Sequence, residues 1–376
     1  MPPLGLRSES TERDRSYANA VVRACEIVNS FRHEGEALTL SELVDRSRLS
    51  KTTVFRLVQS LVRGGLVERV GKGVYASRVR PLTERTFRLG FAAQTDSVFC
   101  REVTGGLERA AARSNVHLVM VNNRYSAREA LRNAELLVRE RVDLVLEYQT
   151  YERVAPMVAA KFVEANIPVI AIEIPHPGAT YFGANNYQAG LIGGKALGRW
   201  ANEHWNAEVD QVLLLELPIA GPLPQLRMTG LLDSLRKELP AISSLPISHL
   251  DGKGDFEQIL GVVRKYLRRT AAKKRTLVGA VNDTCALAAL RGFEEAGLSQ
   301  YCAVMGQNAI LEARMELRRA GTRLIGSVAF FPERYGDQLV PLALNILQKK
   351  SAPATVFVEH QLITLKNVGL LYPLDA

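Results

Sequence analysis

The sequence predicts two architectures in one chain: a small helical module with a hairpin at residues 15–80, and a two-lobed α/β body with parallel sheets at 87–376, joined by a linker at 81–86. Three observations lead there. The first segment reads as helices around a tight turn, followed by a glycine-turned hairpin. From Phe87 onward, apolar strand-length runs alternate with helical periodicity. Positive charge is also concentrated: nine basic residues lie between Arg46 and Arg80 against one acid, Glu68.

Composition supports globular domains. The chain has 376 residues, 47% hydrophobic and 23% charged, which excludes disorder and collagen-like repeats and leaves length for two or three cores. Its formal net charge of +9 favours an acidic partner. The four cysteines are far apart, with no CxxC or Cys/His metal spacing, so neither zinc nor a disulfide framework is expected, and no cofactor is expected either. The polar N-terminus lacks a signal-peptide core and no later run is long and apolar enough for a membrane span, so the expected location is the cytoplasm, away from membranes.

In the first module, Ala20, Val21, Ala24, Ile27, Val28 and Phe31 recur at helical spacing, predicting a helix over about 15–33 that ends at Gly35. Thr39 with Glu42 three residues later forms a capping box for a short helix to about Arg46. Ser47 to Leu49 is the turn. Ser50 then caps a helix over Lys51–Arg63, whose Val54, Leu57, Val58 and Leu61 face the core. Its other face carries Lys51, Thr52, Thr53, Arg56 and Gln59, the residue types that meet bases and phosphates when such a helix enters a major groove. Leu66–Val70, a Gly71-Lys72-Gly73 turn and Val74–Ser77 predict a wing with a cationic tip.

The run LTLSELVDRSRLSKTTVFRLVQSLVRGGLVERVGKGVY resembles the winged helix-turn-helix of IclR-type transcriptional regulators in order and spacing. The resemblance implies a double-stranded operator as partner. Ser50, Lys51, Thr52, Thr53, Arg56 and Gln59 become the candidate DNA-binding residues, with Lys72 on the wing. The alternatives are a solvated basic face or a winged helix used for protein contacts.

In the body, strands are predicted at Phe87–Ala93, His117–Asn122, Leu144–Tyr148, Pro168–Ile172, Gln211–Leu217, about 246–250, Thr276–Val281, Tyr301–Gly306 and Leu324–Ala329. Helices fall between them at about 98–114, 127–140, 152–165, 187–202, 225–238, 255–269, 284–296 and 309–319. Such βα repeats with near-continuous apolar strands require a parallel sheet covered on both faces. Two successive halves place a ligand cleft at the carboxyl ends of the strands.

Residues 87–373 resemble the type I periplasmic-binding-protein fold, most closely the ribose-binding-protein group, whose fold the LacI/GalR effector domains share. RLGFAAQTDSVFCREVTGGLERAA, IPVIAIE, FGANNYQAGLIGGKALGRWA, LRMTGLLDSL, VGAVNDTCALAAL, VMGQN and IGSVAFFPERYG carry the likeness in order. It implies a small-molecule effector, a sugar by family habit. It also places Ser97 and Phe99 in the first ligand loop, Phe99 able to stack on a sugar face. Glu173 would take hydroxyls, Arg227 would grip the ligand, and Asn282 and Asn308 would be polar partners. Cys100 replaces a second aromatic, Asn308 an Asp, and Phe330 a Gln. Other readings stay open: Phe99 and Phe330 as core aromatics, Glu173 as a helix cap or surface pair, Arg227 in a lobe-stabilising ion pair. Asp283 is read as a helix N-cap, and His176, between Pro175 and Pro177, as a solvated loop residue.

Together these features lead to the expectation of a ligand-responsive DNA-binding regulator acting as a homodimer on paired half-sites. A solute-binding protein is one alternative. An enzyme on a doubly wound sheet is another, but Gly190–Gly194 lies in a helical pattern rather than at a strand-to-helix turn, and no nucleophile elbow or P-loop occurs.

Overall fold

A computed structural model describes residues 19–31, 36–79, 86–252, 256–270 and 273–373. The chain divides into two compact units between Thr86 and Phe87. Most of the expected linker, 81–85, lies outside the described residues, as do both ends of the first expected helix.

The head begins with α1 (Asn19–Val28), β1 (Ala37–Thr39), α2 (Leu40–Ser47) and α3 (Lys51–Arg63), followed by the hairpin β2 (Val67–Gly71) and β3 (Val74–Ser77). The capping box forms as read: the Thr39 hydroxyl accepts from Glu42 N–H, and Glu42 accepts from Thr39 N–H at 2.8 Å. Arg48, at φ 56°, turns the chain from α2 into α3. Ile27, Phe31, Leu43, Val54, Val58 and Tyr75 fill the core. Sequence reading missed β1, which joins β3 antiparallel and widens the hairpin to three strands in the order β1-β3-β2. Three residues give too little periodicity to register alone.

The body contains β4 (Phe87–Ala93), α4 (Val98–Arg113), β5 (Val116–Asn122), α5 (Ala127–Arg139), β6 (Leu144–Glu147), α6 (Ala155–Glu164), β7 (Val169–Ile172), β8 (Thr180–Gly183) and α7 (Asn186–Trp205). There follow β9 (Gln211–Glu216), α8 (Pro222–Glu238), β10 (Ile247–Asp251), α9 (Phe256–Thr270), β11 (Thr276–Ala280), α10 (Asp283–Glu295), β12 (Cys302–Asn308), α11 (Leu311–Arg318) and β13 (Leu324–Ala329). The chain continues through α12 (Tyr335–Leu347), β14 (Thr355–Phe357), β15 (Gln361–Ile363) and α13 (Val368–Leu371). One sheet runs β14-β8-β7-β6-β4-β5 and the other β10-β9-β11-β12-β13-β15, parallel throughout except for the β13–β15 pair. β6, β7 and β11 are buried along their whole length, as strands covered by helices on both faces must be.

The two halves are not simply successive. α7 packs on the second sheet although its sequence follows the first, and α12 returns to pack on α4 of the first lobe. β14 then adds to the first sheet and β15 to the second. The chain thus passes between lobes near Ala184, Phe331 and Glu359. Sequence reading ended at Ala329: Pro341 interrupts the α12 pattern, and β14 and β15 are three residues each.

The expected glycine run lies inside α7 and serves packing. A Cβ on Gly190 would sit 2.1 Å from the Arg227 carbonyl oxygen, and one on Gly194 2.1 Å from that of Leu231. From α8, a Cβ on Gly230 would sit 2.2 Å from the Tyr187 carbonyl oxygen. Only glycine lets α7 and α8 approach this closely, and that approach holds Arg227 against the base of the cleft.

Candidate functional site

Each unit carries a candidate surface. On the head, Ser50, Lys51, Thr52, Arg56 and Gln59 are exposed and Thr53 is half-buried, so the polar face of α3 is open. Its first turn is fixed internally. Ser50 Oγ accepts from Thr53 N–H at 3.4 Å and lies 2.8 Å from Thr53 Oγ1. Gln59 Nε2 donates to the Tyr75 hydroxyl at 3.3 Å, tying α3 to the wing, and Lys72 is exposed at the wing tip. Arg46 turns inward to Glu36 and the Ser30 carbonyl, and Arg78 pairs with Glu68, so these two are not part of the open face. Arg80 lies outside the described residues.

In the body, a cleft of about 1080 Å³ opens where the carboxyl ends of both sheets meet. It lies just above the roughly 300–1,000 Å³ typical of small-molecule sites. Ser97, Phe99, Glu173, Arg227, Asn282 and Asn308 line it together. Phe330 does not. Its ring lies under the Arg227 guanidinium, 4.7 Å from Cζ to the ring centroid, and edge-on to His360 at 4.8 Å.

The centre is a buried ion pair. Glu173 follows β7 with φ 63°, a strained backbone that turns its side chain into the cleft. It accepts from Arg227 Nη2 at 3.2 Å and from the Tyr335 hydroxyl at 2.6 Å. Arg227 also donates from Nε to Asn186 Oδ1 at 2.6 Å and from Nη1 to the Val281 carbonyl at 3.0 Å. Burial pushes the Glu173 carboxyl up, and the Arg227 charge and the Tyr335 hydroxyl pull it back. Neither a helix cap nor a surface pair describes Glu173. The ion-pair reading of Arg227 holds: α8 of the second lobe meets the end of β7 of the first.

Besides Phe330, two further expectations change. The N-cap of α10 is Asn282, which accepts from Cys285 N–H at 2.9 Å, so Asp283 is not the cap. Asp283 is instead 1% exposed, accepting from Ile310 N–H at 2.9 Å and from Ser327 Oγ at 2.6 Å. Burial raises its carboxyl to about 7. It thereby clamps the turn that follows Asn308, which itself sits at φ 100°. His176 is buried rather than solvated, with Nδ1 2.9 Å from the Ile174 carbonyl, and burial lowers it to about 4.

Sequence reasoning missed Gln94, Tyr125, Tyr148, Thr150 and Tyr151, all on the cleft wall. Tyr148 and Tyr335 meet Phe99 edge-on, with ring centroids 6.3 and 5.8 Å away. Gln94 hydrogen-bonds Thr150, and the Tyr151 hydroxyl donates to the Tyr125 carbonyl at 2.8 Å. A usable signal existed, because Tyr148 to Tyr151 directly follow a buried parallel strand, where such sheets place ligand residues. Cys100 is buried behind this wall. Among the described residues, no group of three or more His, Cys, Asp or Glu is placed to hold a metal ion. No helix among them is long and apolar enough to cross a membrane.

Comparison with known proteins agrees with this fold. The family model of the periplasmic binding protein domain matches residues 90–351, and that of the IclR helix-turn-helix domain matches 20–71. No curated protein matches the chain. Similar solved structures include an ABC-transporter periplasmic solute binding protein from Actinobacillus succinogenes with bound D-allose, at 18% identity, covering 76% of this chain and 100% of that one, with TM-score 0.67. A glucose-galactose binding protein from Geobacillus stearothermophilus has 20% identity, 75% and 99% coverage and TM-score 0.64. A solute binding protein from Bacillus halodurans with bound myo-inositol has 17% identity, 77% and 98% coverage and TM-score 0.64. At these identities the likeness establishes the fold. The chain belongs to the periplasmic binding protein domain family and carries an IclR helix-turn-helix domain ahead of that domain.

Proposed function

We propose that the chain is a DNA-binding transcriptional regulator whose effector is a carbohydrate or related polyol held in the cleft. The observation that carries this reading is the union in one chain of an open cationic recognition helix with a cleft whose polar groups are already oriented. The matched families are DNA-binding and solute-binding domains rather than enzymes.

In this reading, Ser50, Lys51, Thr52, Thr53, Arg56, Gln59 and Lys72 face the operator. Phe99 offers the apolar plate for a sugar ring, and Ser97, Asn282 and Asn308 offer donors and acceptors. Arg227 commits three of a guanidinium's five N–H groups internally, which leaves two for ligand hydroxyls. Phe330 acts from beneath by fixing the plane of that guanidinium. No metal or cofactor takes part. A ligand that binds the closed lobes more tightly shifts their population, and the same free energy changes affinity for DNA. The regulator acts as a cytoplasmic homodimer, because paired half-sites make up for the weak binding of one small head.

The test is a thermal-shift screen against pentoses, hexoses, polyols and their phosphates, followed by operator binding with and without each hit. A ligand at 100 times its Kd adds about 2.7 kcal/mol. Stabilisation by a sugar or polyol with a changed DNA affinity supports the reading. Stabilisation without any change at DNA would sever the link between the two units.

A further inference from the structure

The polar face of α3 contains one large apolar side chain: Phe55, 49% exposed. The core stripe of this helix is Val54, Val58 and Leu61, all buried. At 3.6 residues per turn Phe55 falls outside that stripe, one turn beyond Lys51 and Thr52 and one turn before Gln59. The head does bury aromatic side chains where the fold wants them, with Phe31 at 0% and Tyr75 at 2% exposure.

A single exposed apolar residue is ordinary on a surface. Position distinguishes this one. Phe55 stands in the second turn of the recognition helix, beside the exposed Arg56 and within a face whose other members, Lys51, Thr52 and Gln59, are all hydrogen-bonding groups. Gln59 is tied to Tyr75 of the wing, so the surface next to Phe55 is held in place. The surrounding charge, from Lys51, Arg56, Arg63 and Lys72, suits a polyanion. Against duplex DNA a phenyl ring can bond neither phosphates nor base edges, and the apolar group that the major groove displays is the C5-methyl of thymine.

We propose that Phe55 is a specificity-determining residue that packs on a thymine C5-methyl in the major groove, so that recognition depends on thymine at one position of the site. This rests on the DNA-binding reading above and adds a base preference to it.

The experiment enriches binding duplexes from a random pool with the full-length protein, then replaces each thymine of the enriched duplex by deoxyuridine, which removes only the methyl. Wild-type protein should lose about fourfold in affinity at one position, the equivalent of about 0.8 kcal/mol for one methyl-sized group. Phe55→Ala should bind more weakly yet ignore that replacement, and Phe55→Leu should keep part of the dependence. Indifference of the wild type to every deoxyuridine would overturn the inference, as would an undiminished methyl effect in Phe55→Ala. A loss of binding in Phe55→Ala that follows a lowered head melting temperature would assign Phe55 to packing instead and overturn it as well. A pool that yields no enriched duplex would bring down the DNA-binding reading, and this inference with it.

Discussion

The two candidate surfaces handle polar groups in opposite ways. On α3 the side chains that would meet a partner are exposed except for the half-buried Thr53, and among the described residues the Ser50 cap and the Gln59–Tyr75 contact restrain them. In the cleft, Glu173 and Arg227 are buried at 5% and 7% exposure and locked to each other and to Tyr335, Asn186 and the Val281 carbonyl. Under the function proposed above, the difference reflects what each partner would demand. A duplex brings its own charge and a large area, so flexible cations suffice. A small neutral ligand makes few contacts, and its affinity depends on groups that need no ordering when it binds.

The sharpest way to break this contrast is Arg227→Ala. It leaves Glu173 buried without its cation and should cost the body about 3–5 kcal/mol, read by denaturant unfolding, along with ligand binding. The pair Glu173→Gln with Arg227→Met should cost less, because no charge is left stranded. Equal costs would mean that the pairing is not what holds this region together.

Second in size is pH. Glu147 is fully buried at the end of β6 with one hydrogen bond, from Asn123 at 2.9 Å, and burial raises it to about 8. A raised carboxyl keeps its proton in the folded state, so its stabilising contribution is complete below about pH 4 and is lost as pH rises towards 8. The slope can reach about 1.4 kcal/mol per pH unit per carboxyl. Asp283 acts with the same sign up to about pH 7. The head runs the other way: hydrogen bonds from Thr39 hold Glu42 below the usual carboxylate range, so its cap weakens as pH falls. Melting of the body should therefore fall as pH rises from about 4 to 8, whereas the head's should stay flat across that window and drop only below about pH 4, and Glu147→Gln should flatten only the body's curve.

The smallest effect on folding is Arg56→Ala, expected within about 0.5 kcal/mol of wild type because the side chain is exposed. Its consequence appears at DNA, where affinity should drop and the slope of log K against log salt should fall by about 1. A stability loss comparable to that of Arg227→Ala would erase the distinction between the two surfaces.

The head was legible because its signals are local. The Thr39–Glu42 box and the Ser50 cap act over three residues, and α3 occupies the very residues its periodicity marks. Most strands and helices of the body could be read for the same reason. The sequence by itself therefore determined most of the element order as far as Ala329, β1 and β8 excepted, together with the cationic face of α3 and the need for parallel sheets covered on both faces. The tertiary structure alone decided the rest. Glu173 meets Arg227 across 54 residues and Tyr335 across 162, Asp283 leaves the cap position to bind Ser327 across 44, and Phe330 slips beneath Arg227 instead of lining the cleft. Such pairings depend on how chain crossings bring the two sheets together, and no short-range period records where a chain will cross.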